Sequence, residues 1–171
     1  TRILYLTESL RENLKLGPKT PLESAVLRRL HAYAGRKVAD LAAEFEIPRT
    51  RSYHYCARVI QRALGAKHGD ANLKELREAG IQVKTVKLGA KGIPFEAMSF
   101  PAFKYAELLK EDWESSSFRK TLQNLLIVPM TGGPQGLGGD HQRILGRAFF
   151  WHPTEAEWVI IRQEWEHFVG Q

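Results

Sequence analysis

Apolar residues recur at Ala25, Val26, Leu30 and Tyr33 with the spacing of one helical face, behind Thr20 and Pro21 as start signals, and predict a helix over 23–34. A second helix over 38–45 follows and, past a turn at Pro48, a third over 51–64 that Gly65 closes. The period then changes. Ile81-Gln82-Val83-Lys84-Thr85-Val86-Lys87-Leu88 alternates strictly, which predicts a strand with Gln82 and Lys84 on one face. Ala90-Lys91-Gly92 reads as a turn, and 98–103 as a second extended segment interrupted by Pro101. A helix over 118–124 leads into the continuous apolar run Leu125-Leu126-Ile127-Val128-Pro129-Met130, suited to a strand buried on both faces. The glycine-rich stretch 131–139 reads as a mobile surface loop. No Lys-Ser or Lys-Thr follows its glycines and it does not run from a strand directly into a helix, which argues against a phosphate-binding loop. A short strand over 147–151 precedes a last helix, capped by Thr154 and carrying Trp158, Ile161, Trp165 and Phe168. Helices first, then strands alternating with helices, make an α/β or mixed α+β domain with no internal repeat.

Length adds that 171 residues suit a single domain over 1–171, with 1–20 as an extension or linker and 21–66 as a helical part. With 43% hydrophobic and 26% charged residues, disorder is excluded. Lys and Arg outnumber Asp and Glu by 25 to 19, and the pI near 9.5 makes a polyanion the first partner to consider. Cys56 has no second cysteine to pair with and reads as a reduced, buried thiol. No stretch has the length of a membrane span and no signal peptide is legible, so the expected location is cytoplasmic, with no membrane partner. The chain starts at Thr1 and stops at Gln171 just past an amphipathic helix, which reads as a fragment of a longer polypeptide.

Two polar residues two apart on a strand, with an acid several residues upstream, fit the geometry of metal-dependent nucleases. There, carboxylates from two places converge on Mg²⁺, which polarises the phosphate and helps generate hydroxide, while a lysine stabilises charge on the attacking group or phosphate. The candidates are Glu75, Gln82 and Lys84, with Asp70 as the alternative acid. The same alternation also describes a half-exposed strand with no chemistry. The segment 38–48 followed by a Tyr- and Arg-bearing helix has the apolar spacing of a helix-turn-helix, with a recognition helix over 50–60 and Arg49 and Arg51 as its DNA-contacting charges, although Glu46 stands at the turn position usually held by Gly. Trp113, Trp151, Trp158 and Trp165 read as core, and His68, His141 and His152 lack the spacing of a zinc site.

Several blocks carry a resemblance: Gly80-Ile81-Gln82-Val83-Lys84-Thr85-Val86-Lys87, Met98-Ser99-Phe100-Pro101-Ala102-Phe103, Glu111-Asp112-Trp113-Glu114-Ser115-Ser116, and Phe149-Phe150-Trp151 before a helix with Arg162-Gln163-Glu164-Trp165-Glu166. Together, and more faintly back through 30–65, the chain resembles the MutH family, which includes GATC-specific type II restriction enzymes. The resemblance implies a PD-(D/E)xK restriction-endonuclease-like fold, with 67–171 as a nuclease-like core cut short at its C-terminus, and a Mg²⁺-dependent endonuclease acting on GATC-containing DNA. It sets the catalytic lysine on Lys84, the acid before it on Gln82, the upstream aspartate near Glu75, a helical glutamate on Gln61 and a further lysine on Thr121, with Arg119 and Lys120 beside it. An amide keeps a coordinating oxygen but loses the negative charge, so Gln61 and Gln82 imply weakened Mg²⁺ binding, with Glu75 and Gln82 as its ligands only if the site is active. The closest resemblance is to the C-terminal effector domain of two-domain restriction enzymes. It implies a pseudo-nuclease that binds double-stranded DNA, joined to a catalytic nuclease domain of the same polypeptide, with Lys84, Lys87, Lys91, Lys104, Arg119 and Lys120 toward phosphates. An active Mg²⁺ endonuclease and a helix-turn-helix regulator are the alternatives.

Overall fold

The computed structural model describes residues 7–68, 71–135 and 137–170. The chain opens with β1 (Thr7–Glu8) and α1 (Leu10–Asn13), whose first turn is capped by the Ser9 hydroxyl. Three helices follow: α2 (Leu22–His31), α3 (Val38–Glu44) and α4 (Tyr55–Ala63). Then come β2 (Asn72–Leu73), α5 (Lys74–Glu78), β3 (Gln82–Lys87), α6 (Tyr105–Leu108), α7 (Ser117–Leu122) and β4 (Leu125–Thr131). A 3₁₀ turn (Leu137–Gln142), β5 (Ile144–Leu145), β6 (Phe149–Trp151) and α8 (Glu155–Val169) complete it.

The sheet is mixed, with β4 at its centre. β3 pairs with β4 in parallel from Gln82↔Leu125 to Lys87↔Met130, whereas β5 and β6 pair with it antiparallel on its other side. This position explains the two strand patterns. Leu125, Leu126, Ile127 and Val128 are all buried in the central strand, while β3 lies at the sheet edge and keeps an alternating, half-buried composition. Pro129 stands where the partner of β4 changes from β6 to β5, a point that asks no ladder donor of it. Gly146 closes against it, since a β-carbon there would come within 2.9 Å of the Pro129 ring.

α4 lies over the sheet and buries Tyr55, Cys56, Val59, Ile60 and Ala63. They join Val26, Leu30, Val38 and Leu41 from α2 and α3, and Leu126, Val128 and Met130 from β4, in one apolar cluster. Burial pushes the Cys56 thiol up to about 12, and the nearby Asp140 carboxylate adds to this. A second, smaller cluster joins Leu108, Trp113 and Trp165, with Phe118, Trp158 and Ile161 against it. Thr154 caps α8 in a reciprocal capping box with Glu157, as its position predicts.

Four expectations need correction. Leu10 is fully buried in the main cluster and β1 pairs with β2, so the stretch from Thr7 onward is part of the packed fold rather than a linker. Residues 98–103 form no strand; Pro101 lacks a donor, and the Ser99 carbonyl accepts from the Lys84 ammonium instead. α4 starts at Tyr55, not near 51, because Thr50 and Ser52 side chains take the N–H groups of Ser52 and His54 in turns. With residues 45–54 between α3 and α4, and α4 itself part of the core, the two helices do not make the short-turn pair of a helix-turn-helix. Glu46 nevertheless adopts φ 56°, the left-handed conformation expected at the glycine-like position.

The glycine-rich stretch is anchored. Arg143, wholly buried, donates to Asp140 Oδ1 (2.9 Å) and to the Gly132 and Pro134 carbonyls (2.9 and 3.0 Å). Lys87 Nζ lies 3.1 Å from Asp140 Oδ2, an ion pair without hydrogen-bond geometry, and 3.5 Å from Glu96 Oε1. The loop is thus pinned to the end of β3 through one buried carboxylate. Among the described residues, no helix is long and apolar enough to cross a membrane.

Candidate functional site

Two cavities that share Val83 lie along the junction of α4 and β3. Ala57 and Gln61, one helical turn apart on α4, line one cavity each. The strand alternation puts Gln82 and Lys84 on the same face of β3; Lys84 borders the first cavity and Gln82 the second, and both side chains are half-buried.

The first cavity, of about 230 Å³, is walled by Tyr53 and His54 ahead of α4 and by the segment from Glu96 to Ser99. Lys84 Nζ donates to the Ser99 carbonyl at 2.6 Å and stands 4.4 Å from the centre of the Phe100 ring. Its burial pulls the ammonium pKa below the usual lysine range. The Tyr53 hydroxyl and the Ser99 hydroxyl are 3.1 Å apart, which holds the same segment from the other wall.

The second cavity, of about 260 Å³, brings together Gln61, Asn72, Arg77 and Gln82 over a floor of Leu64, Leu73, Leu76 and Ile81. Among the described residues no carboxylate lines it. The side chains of Asn72, Arg77 and Gln82 have no hydrogen-bond or ion-pair partner among the described residues, whereas Gln61 is not free.

Glu75 is not in this cavity. Its carboxylate accepts from the Ser9 hydroxyl (2.6 Å) and from the N–H groups of Leu10 (2.8 Å) and Arg11 (3.3 Å), tying α5 to the start of α1. Burial pushes its pKa up, but these hydrogen bonds outweigh that and hold it below the ordinary carboxylate value. Its carboxylate is thus engaged in the fold, and of the described polar residues between α4 and β3, Asn72 and Arg77 line the cavity with Gln61 and Gln82. Glu75→Gln should lower folding stability by about 1–3 kcal/mol at neutral pH, because charge-accepting bonds to backbone N–H groups are weakened. The sign with pH follows from the depressed folded pKa: this contribution is complete above the ordinary glutamate range and is lost as pH falls through the folded value. Urea midpoints of wild type and Glu75→Gln should therefore converge in acid; a constant gap would refute the assignment. Asp70, the alternative acid, lies outside the described residues.

The other cationic candidates do not converge on the two cavities. Lys87 borders the first, but it is 4% exposed and committed to Asp140 and Glu96. Lys91 is exposed on the turn after β3. Lys104 pairs with Glu107 at 3.1 Å. Arg119 pairs with Glu114 at 2.6 Å and lies over the Trp113 and Trp158 rings, which makes it part of the second cluster. Lys120 is exposed on α7, and the Thr121 hydroxyl donates back to the Ser117 carbonyl of its own helix. No group of His, Cys, Asp and Glu side chains suited to a metal ion occurs among the described residues.

The family model described as "DNA mismatch repair enzyme MutH" matches residues 64–164, more than half of the chain. The chain belongs to the MutH family. Among curated relatives, the DNA mismatch repair protein MutH of Pasteurella multocida is 26% identical over 151 residues, covering 86% of this chain and 67% of that protein. The proteins of the same name from Histophilus somni (28% over 152 residues; 86% and 66%) and Shewanella baltica (26% over 148 residues; 84% and 66%) are similar to the same extent. The chain thus spans about two thirds of the length of the curated relatives it matches. The MutH match contains Asn72, Gln82 and Lys84 and starts just after Gln61. Within it, the mixed sheet flanked by helices is the restriction-endonuclease-like fold of the family.

Proposed function

We propose that this MutH-family chain binds duplex DNA, at GATC sites, without cutting it, as the effector domain of a restriction enzyme whose catalytic nuclease domain lies on the same polypeptide. One observation carries the reading: Lys84 is kept in a cleft beside a cavity where Gln61, Asn72 and Gln82 are all amides. Magnesium does not fit that donor set. A hard dication is held by charged oxygens, and among the described residues the side-chain oxygens lining the cavity are neutral and a guanidinium, Arg77, shares the space. The lysine cleft is still useful to a DNA-binding protein, since phosphate contacts supply affinity and set register.

The test is direct. The purified chain, given Mg²⁺ and a GATC-containing duplex, should shift the duplex on a gel and leave both strands intact. Lys84→Ala should weaken binding about tenfold and reduce the salt dependence by about one ion released, as for loss of one phosphate contact. A scrambled duplex should bind more weakly at the higher of two salt concentrations, where phosphate attraction is screened and base reading remains. Nicking or cleavage that Lys84→Ala abolishes would overturn the non-cutting reading.

A Mg²⁺-dependent endonuclease is the second reading. The lowered pKa of the half-buried Lys84 and the similarity to DNA mismatch repair MutH proteins favour it. The same incubation separates the two.

A further inference from the structure

We infer that the cavity of Gln61, Asn72, Arg77 and Gln82 holds a phosphate of the DNA backbone directly, with no divalent cation between protein and phosphate; this rests on the DNA-binding reading above. A carboxylate-lined cavity repels a phosphate unless a cation stands between them. Each amide in place of a carboxylate removes one negative charge and adds two N–H donors. Arg77 adds a guanidinium, whose planar fork suits two phosphate oxygens.

The groups are available for such a ligand. Asn72 and Arg77 are exposed at the mouth and Gln82 is half-buried within, and none of these three side chains has a hydrogen-bond or ion-pair partner among the described residues. Leu64, Leu73, Leu76 and Ile81 exclude water from the floor, which strengthens a charge-assisted hydrogen bond made above it. The neighbouring acid, Glu75, is engaged at the start of α1, and Glu78 lies 3.9 Å from Lys74, so neither carboxylate faces the ligand position. Lys84, in the adjoining cavity, supplies a second cation along the same strand face, placed for the next phosphate.

The experiment compares the affinity of the full chain for one GATC-containing duplex in EDTA and in millimolar Mg²⁺. Wild type should bind at least as well in EDTA. Arg77→Ala, on an exposed side chain, should lose about fivefold to tenfold with a smaller salt slope. The double variant Asn72→Asp, Gln82→Glu should bind about tenfold or more weakly in EDTA and regain affinity on addition of Mg²⁺, because two introduced carboxylates repel phosphate until a cation bridges them. Thermal melts of each variant verify that the fold is retained. Wild-type binding that EDTA abolishes, or variants that bind as wild type in EDTA, would overturn the phosphate site while leaving the DNA-binding reading intact. Absence of duplex binding by wild type in either buffer overturns both.

Discussion

Asp140→Ala is expected to lower folding stability by about 3–5 kcal/mol, the range for removing one partner from a buried ion pair. Asp140 is 1% exposed and is the shared counter-ion of Arg143 and Lys87, which are 0% and 4% exposed. Without it two cations stay inside the fold, with Glu96 the remaining carboxylate for Lys87 among the described residues and backbone carbonyls for Arg143. Against a typical total of about 5–15 kcal/mol, such a loss brings the domain close to unfolding. Urea denaturation followed by circular dichroism measures it. Asp140→Asn, which keeps a hydrogen-bond acceptor for Arg143 Nε, should lose less. If Asp140→Ala melts within about 0.5 kcal/mol of wild type, as a surface change would, the buried network contributes nothing net.

Trp165→Ala is the second large effect, again about 3–5 kcal/mol for an aromatic side chain removed from a core. Trp165 is buried 5.6 Å from the Trp113 ring centre and closes the smaller cluster beneath α8. That cluster is separate from the one around α4, so the damage should stay local. Amide exchange should accelerate across α6, α7 and α8 while β4 and α4 stay protected. Uniform loss of protection would show that the two clusters unfold together.

Much of this architecture was legible because burial had a simple period. α2, α3 and α8 follow their apolar stripes to within a few residues, and the contrast between the alternating β3 and the uniformly apolar β4 marks edge against centre. What escaped depends on partners distant in the chain. Nothing around Glu75 announces that its carboxylate is claimed by Ser9, Leu10 and Arg11, so spacing made it the natural acid. Asn72 escaped spacing because α5 folds the intervening chain into a short helix, so that residues of β2 and β3 line one cavity. Arg77 looked like any surface charge. The pairing of Asp140 with Arg143 lies in a stretch whose glycines suggest freedom, and only the approach of Lys87 from β3 makes it interior. Spacing offered Gln82 and Lys84, although alternation alone fits an ordinary half-exposed strand, and the resemblance added Gln61.

Cys56 gives the molecule a natural clock. A thiol attacks reagents as its thiolate, and this one is 1% exposed with a pKa of about 12, so in the closed protein it is both shielded and protonated. Its labelling by a disulfide reagent therefore counts the moments at which the helix-on-sheet interior opens. Because any ligand that prefers the closed form makes those moments rarer, a DNA duplex should slow the labelling, giving a readout of occupancy that requires no dye, no tag and no substitution.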